Sequence, residues 1–208
     1  AAALLSSAAS SFAQQQDIFD TDRFRLSLGA GYTFLKADEI VYEKGKRISH
    51  LIWESEAPSL TATARVELAH GWSLAARGVF ATSGNSHMED YDWLQPHFVS
   101  YDFDDWTHRS VHTNTALHEY VSVDIALGRD IELAGTTVNL HGGFKYTEAS
   151  WTSTSGSFVY SWAGYRDSVG DLPPDAPGIT FRQRFPGIFL GANAATTYGR
   201  WTLDAQAR

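Results

Sequence analysis

The sequence predicts an all-β protein whose antiparallel strands form a transmembrane β-barrel. Three observations support this fold class: hydrophobicity alternates with a period of two, the alternating segments are long, and short breaks alternate with long polar ones. Strands of water-soluble sheets usually span about 5–6 residues. Longer strands, joined by short turns at one end and long loops at the other, are typical of outer-membrane barrels.

Composition indicates one folded domain and narrows the classes of ligand. The 208 residues are 43% hydrophobic and carry a formal net charge of −8, which argues against nucleic acid as a partner and favours basic ligands. The chain contains no cysteine, so disulfides and thiolate metal sites are excluded.

The first residues have the composition of a targeting segment. Residues 1–13 are small and apolar, carry no charge, and end in Ser11-Phe12-Ala13, which matches the small-x-small pattern of a signal-peptidase site. We interpret 1–13 as the remnant of a signal peptide and 14–208 as part of a single barrel domain. A disordered alanine-serine terminus is the alternative. No later stretch has the length and hydrophobicity of a transmembrane helix.

The first two predicted strands form a hairpin. Residues 22–43 alternate apolar and polar side chains, a tight turn follows at Lys44-Gly45-Lys46, and 47–68 repeat the alternation. The pattern places one set of apolar residues on the outer face: Phe24, Leu26, Leu28, Ala30, Tyr32, Phe34, Leu60, Ala62, Ala64 and Val66.

The remaining strands follow in the same way. They are predicted at 72–93, 112–129, 137–160 and 179–197, with a seventh beginning at Trp201 and long polar loops at 93–111 and 161–178. Leu117 opens the alternation of the fourth strand. An open seven-stranded sheet would leave backbone groups unpaired in lipid. We therefore expect the chain to be part of a longer protein.

Two carboxylates stand out at the end of the third strand. Asp90 and Asp92 lie two residues apart, so they share one face. Close carboxylates repel, which raises one pKa and allows the pair to share a proton or act as a base. Solvated loop acids are the commoner reading of such a pair. The parity of the strand would also point them outward unless a bulge near Ser83-Gly84-Asn85 reverses it.

Several motifs in a fixed order resemble the omptins, the outer-membrane endopeptidases of Gram-negative bacteria. The resemblance spans nearly all of residues 28–208. Its motifs are Val41-Tyr42-Glu43, Gly45-Lys46-Arg47-Ile48-Ser49, Leu51-x-Trp53, Gly84-Asn85, Asp90-Tyr91-Asp92-Trp93, Trp106-Thr107, His112, Gly156-Ser157-Phe158-Val159-Tyr160-Ser161, Tyr165-Arg166-Asp167, Gly170 and Arg182-Gln183-Arg184-Phe185.

The resemblance implies a ten-stranded barrel and an aspartyl endopeptidase that cuts between basic residues. Asp90 and Asp92 match the aspartates that position the attacking water, and Glu39 matches the acid that binds the basic side chain before the scissile bond. Omptins complete the site with an Asp–His pair on the fourth outer loop, beyond residue 208. The chain as given is therefore expected to be inactive.

The resemblance also implies a lipid partner. Omptins need lipopolysaccharide, bound in part by a strand that here reads Phe144-Lys145-Tyr146-Thr147-Glu148 and matches poorly. Arg182 and Arg184 either meet lipid A phosphates or line the interior. We expect no bound cofactor or metal, and we regard Ser110 and His112 as neighbours of the site.

Two other classes of protein remain open. A barrel of the same architecture without catalysis would serve as an adhesin or a structural membrane protein. A soluble all-β binding domain would stay in solution without detergent.

Overall fold

The computed structural model describes residues 2–133, 135–174 and 178–207, and they form a twisted antiparallel sheet. Twelve strands lie in this described part of the chain: β1 (Ala2–Asp20), β2 (Phe24–Glu43), β3 (Lys46–Glu67), β4 (Trp72–Ala81), β5 (Asn85–Asp92), β6 (His108–His112), β7 (Asn114–Leu133), β8 (Thr136–Thr154), β9 (Gly156–Tyr160), β10 (Ser168–Leu172), β11 (Ile179–Tyr198) and β12 (Trp201–Ala207).

The strands pair as in a meander if β4 with β5, β6 with β7, β8 with β9, and β10 with β11 are each counted as one interrupted strand. β1 pairs with β2 and β2 with β3, while β3 pairs with β4 along one half and with β5 along the other. Beyond β3 the antiparallel pairing continues in two rows of strands: β4-β7-β8-β11-β12 toward the turn end and β5-β6-β9-β10 toward the loop end, two ends that are defined below. Among the described residues the sheet is open, with β1 at one edge and β12 and β10 at the other.

The two ends of the sheet differ. We call the end with segments 93–107 and 161–167 the loop end, and the end with the turns Ala69–Gly71 and Tyr198–Trp201 the turn end. The predicted asymmetry of long loops and short turns is confirmed.

The two faces of the sheet near the turn end are as the alternation predicted. Exposed apolar side chains cover the outer face, whereas Ser27, Thr33, Ser59, Thr61 and Ser73 are buried on the inner face. The exposed set includes Phe24, Leu28, Tyr32, Phe34, Leu60, Leu74, Phe80, Val123, Ile125, Leu127, Leu140, Phe144, Ile188 and Leu190. Such a band is what lipid contact requires, and the strand parts beneath it are the membrane-spanning segments.

The predicted irregularity in the third strand is present. β4 ends at Ala81 and β5 begins at Asn85, with positive φ at Ser83 (56°) and Gly84 (129°) between them. Odd-numbered residues such as Ala81 face inward before this break, and even-numbered ones such as Met88 face inward after it. The break therefore turns Asp90 and Asp92 to the inner face.

The predicted lengths of two loops and the predicted facing of Leu117 need correction. The predicted loops 93–111 and 161–178 are shorter than expected, because β6 and β10 lie within them and extend the sheet. Leu117 is buried on the inner face rather than continuing the outer set, because the register of β7 against β8 shifts between Leu117 and Glu119.

The amino-terminal segment forms part of the sheet. Ala2–Asp20 pairs along the length of β2, and Ala1 lies outside the described residues. That 1–13 is a cleaved signal peptide stays a prediction. Separately, none of the helices among the described residues has the length and hydrophobicity needed to cross a bilayer.

An aromatic layer fills the inner face below the loop end. The ring of Phe181 stacks on Trp53 at 5.6 Å and on Trp151 at 5.9 Å. Trp151 Nε1 donates a hydrogen bond to Ser55 Oγ at 2.8 Å, which satisfies its polar edge. Met88, opposite Trp53 in the ladder, completes the layer. This layer lies on the inner face between the membrane-spanning segments and the loop end. We call the part of the inner face between the layer and the loop end the cleft.

Candidate active site

The acidic residues of the cleft lie in two rungs of the sheet, where a rung is a row of residues that lie directly opposite one another on neighbouring strands. In one rung Glu39 of β2, Leu51 of β3, Asp90 of β5 and Ser110 of β6 lie side by side. In the next rung toward the loop end, Ser49 of β3 faces Asp92, and His108 of β6 lies on the other side of Asp92. Both aspartates lie beyond the membrane-spanning segments, next to the aromatic layer.

Burial dominates the electrostatics of the aspartate pair. Removal from water and the nearby charge of Asp92 raise the pKa of Asp90 to about 7, and Glu39 adds to the effect. Burial likewise raises the pKa of Asp92, while Ser49 and His108 oppose the shift. Asp90 therefore keeps its proton to a higher pH than an ordinary aspartate does.

Ser49 connects the two carboxylates. Its Oγ donates a hydrogen bond to Asp90 Oδ1 at 3.3 Å, although its partner across the ladder is Asp92. A hydrogen bond to the ionised form lowers a carboxyl pKa. Ser49 therefore favours the negative charge that burial opposes.

The structure separates Glu39 from its neighbour Asp38. Asp38 lies on the outer face, where His50 Nε2 contacts its Oδ1 at 2.8 Å. Glu39 faces the cleft and is half-buried, and this burial raises its pKa. Adjacent strands are about 4.8 Å apart, so Glu39 lies roughly 10 Å from Asp90 along the same rung.

The sequence did not single out His108. Its ring lies 5.0 Å from that of Tyr160, which stacks in turn on Phe158 at 4.5 Å. Burial lowers the pKa of His108, and the charge of Asp92 raises it. The alternation of 108, 110 and 112 on one strand face was the available signal, but it needed β6 to be recognised as a strand.

Ser110 and His112 lie beside the pair, as expected of neighbours. His112 Nε2 and Ser110 Oγ are 2.9 Å apart, and His112 is opposite Met88, one rung closer to the membrane than Asp90. Burial lowers the pKa of His112. His112 is buried on the inner face, between the aspartate rungs and the membrane-spanning segments.

The arrangement can hold and polarise a water molecule. Two neighbouring carboxylates with raised pKa can accept hydrogen bonds from a water and take up a proton, and Ser49 donates a hydrogen bond to one of them. No group of three metal-ligating side chains lies close enough to hold a metal ion among the described residues.

Comparison with known proteins places the chain in a family. Residues 20–206 match the Omptin family. Protease 7 of Escherichia coli strain K12 is 28% identical over 205 residues, which cover 94% of this chain and 63% of that protein; Protease 7 of E. coli O157:H7 matches equally. The crystal structure of the outer membrane protease OmpT from E. coli has a TM-score of 0.79 at 24% identity, over 89% of this chain and 63% of that one.

An antiparallel sheet of long strands with an apolar outer face is the architecture of an outer-membrane β-barrel. The family match over 187 residues, from 20 to 206, makes the assignment specific. The chain belongs to the omptin family. It spans 63% of the length of the relatives that it matches.

Proposed function

We propose that the protein, at the length of its relatives, is an outer-membrane endopeptidase. The observation that carries this proposal is the half-buried aspartate pair, Asp90 and Asp92, on the inner face at the loop end. The relatives named Protease 7 and outer membrane protease OmpT support the same class of activity.

The proposed mechanism uses a water held by the pair. The carboxylates orient the water toward the peptide carbonyl carbon, and its proton passes to a base as the oxygen attacks. The family resemblance assigns this base to a histidine of an Asp–His pair on the fourth outer loop. We propose that residues 1–208 without that pair are inactive, because general acid–base catalysis contributes roughly 10²–10⁴-fold.

We propose substrates with a basic side chain on each side of the scissile bond. Glu39 supports this preference, since it faces the cleft, is half-buried and shares the Asp90 rung. A carboxylate in such a position binds arginine through two parallel hydrogen bonds. The net charge of −8 attracts cationic peptides in general.

We propose lipopolysaccharide as a partner needed for activity. Arg182 and Arg184, whose side chains are 51% and 56% exposed, lie on the outer face beside Glu148, which both contact. Tyr146 donates to the same carboxylate, and Glu119 binds Arg182 at 3.1 Å. Two arginines above an apolar wall suit a phosphorylated lipid headgroup.

We propose the outer membrane of a Gram-negative bacterium as the location, with the active site facing the exterior. The apolar band on the outer face supports insertion into a bilayer, and the site lies at the end with the long loops. Outer-membrane barrels carry their longer loops on the extracellular side.

The test is cleavage by the protein at family length, refolded with lipopolysaccharide. A peptide containing Arg-Arg should be cut, whereas the same peptide with Ala-Ala should not. Combined Asp90→Ala and Asp92→Ala should abolish cleavage, while Asp171→Ala, which removes an exposed carboxylate on β10, should not. Equal cleavage of both peptides, or full activity of the double variant, would contradict the proposal. A folded barrel that cleaves neither peptide would instead favour the adhesin or structural alternative.

A further inference from the structure

The proposed mechanism leaves two motifs unused, and they contact each other next to the backbone of Asp92. They are Trp106-Thr107 and Ser161 with Tyr165-Arg166-Asp167. Thr107 is fully buried and Ser161 is 5% exposed. They join the segment 93–107, between β5 and β6, to the loop 161–167, between β9 and β10.

Every polar atom of Thr107 has a partner. Its backbone N–H donates to the Asp92 carbonyl oxygen at 2.7 Å, and its Oγ1 donates to the same oxygen at 3.1 Å. The Oγ1 also accepts from the Leu94 N–H at 2.9 Å and lies 2.9 Å from His108 Nδ1. One side chain thus fixes the backbone of Asp92 and the ring next to it.

Ser161 extends this network to the loop between β9 and β10. Its Oγ donates to the Thr107 carbonyl oxygen at 2.7 Å and accepts from the Arg166 N–H at 2.9 Å. The loop is itself ordered, because Asp167 accepts the backbone N–H groups of three residues: Trp162, Ala163 and Gly164.

Two arginines stack on tryptophans near the two ends of segment 93–107. The guanidinium of Arg166 lies 3.5 Å above the Trp106 ring, and its Nε donates to the Trp106 carbonyl oxygen at 2.9 Å. At the other end Arg47 lies 3.8 Å above the Trp93 ring. Stacked guanidinium groups of this kind restrict the rings that they cover.

We propose that Thr107 is a positioning residue: with Ser161 it couples the loop 161–167 to the backbone of Asp92 and to His108. This inference rests on the proposed endopeptidase function. A buried, fully satisfied network of this kind rigidifies the groups that it joins. Its loss would allow the Asp92 carboxylate to drift from its place beside Asp90.

The test compares Thr107→Val with Thr107→Ser and Thr33→Val. Valine keeps the shape of threonine and removes only the hydroxyl, whereas serine retains the hydroxyl. Thr33 is equally buried, and its Oγ1 has no hydrogen-bond partner, so Thr33→Val makes the same chemical change without breaking this network. Ser161→Ala removes the link from the other side.

We expect Thr107→Val to lower kcat on the Arg-Arg peptide by about 10²-fold, since small misplacements of reacting groups have effects of this size. KM should stay within about threefold, because binding at Glu39 is untouched. Thr107→Ser and Thr33→Val should keep wild-type kcat. A Thr107→Val variant with wild-type kcat, or an equal loss in Thr107→Ser, would overturn the proposal.

Amide hydrogen exchange, followed by mass spectrometry in detergent with lipopolysaccharide, gives a readout that needs no activity. Thr107→Val and Ser161→Ala should each increase exchange in both 93–107 and 161–167. An increase confined to the segment that carries the substitution would show that the two are not coupled, and the proposal would fail. If the wild-type protein cleaves nothing, the proposed function fails and this exchange result decides the coupling on its own. If Thr107→Val does not fold, Ser161→Ala and Thr107→Ser carry the test.

Discussion

Ser49 donates a hydrogen bond to Asp90 but lies directly opposite Asp92 in the ladder between β3 and β5. This diagonal contact joins the two rungs of the site. Because it stabilises the ionised carboxylate, Ser49→Ala should raise the pKa of Asp90 further. The pKa is measured by carbon-13 NMR of labelled aspartate carboxyls across a pH series.

A matched control is Ser59→Ala, since Ser59 is buried on the inner face of β3 and its Oγ has no partner. The control should leave the Asp90 titration unchanged. An Asp90 pKa that is equal in Ser49→Ala and wild type would show that Ser49 does not stabilise the ionised form of Asp90.

The raised pKa of Asp90 predicts how stability depends on pH. The folded value is about 7 and the ordinary value is 3.8, so the folded state binds the proton more tightly than the unfolded state does. The resulting stabilisation is complete below about pH 4 and is lost as pH rises through 7. The free energy of unfolding of Asp90→Asn should therefore increase relative to that of wild type between pH 4 and pH 8, by an amount on the order of a few kcal/mol.

Denaturant midpoints in detergent, followed by far-ultraviolet circular dichroism at pH 4 and pH 8, measure this difference. Asp22→Asn changes an exposed carboxylate and serves as the control. A difference between Asp90→Asn and wild type that does not change with pH would contradict the assignment of the shift to the folded state.

Gly84 is required at the break between β4 and β5. Its φ is 129°, and a Cβ there would collide with the Glu56 carbonyl oxygen. Gly84→Ala should lower the folded fraction, because strained backbone alone costs about 1–3 kcal/mol and the collision adds to it. Gly45→Ala, at φ 77° in an open turn with nothing within 4 Å, should cost only the strain. Heat-modifiable gel mobility reports the folded fraction, and equal losses in the two variants would argue against the collision.

The aromatic layer should contribute strongly to stability. Trp53 is fully buried and contacts the rings of Trp151 and Phe181, so Trp53→Ala should cost about 3–5 kcal/mol. Trp162 is 83% exposed, and Trp162→Ala should change stability by about 0.5 kcal/mol or less. Denaturant midpoints by circular dichroism compare the two; similar losses would contradict a structural role for the layer.

The regular part of the fold could be predicted from the sequence because alternate residues of each strand face lipid and the inner face. The lipid side requires apolar side chains, whereas the inner side accepts polar ones. Along β2 and β3 the predicted outer set is the observed one, and the turn at Lys44 and Gly45 is where it was expected. The same logic failed at Leu117, where a register shift reversed the parity, since a bulge depends on the paired strand.

The sequence by itself determined the all-β class, the outer apolar face, and the candidate residues Asp90, Asp92 and Glu39, because alternation and ordered motifs are local properties of the chain. Only the tertiary structure decided which side chains meet them. Ser49, His108 and Thr107 lie 41, 18 and 17 positions from Asp90 in the sequence, yet pairing of β3, β5 and β6 brings them to one end of the cleft. Cross-strand neighbours are fixed by register, and register is set by the packing of the whole sheet.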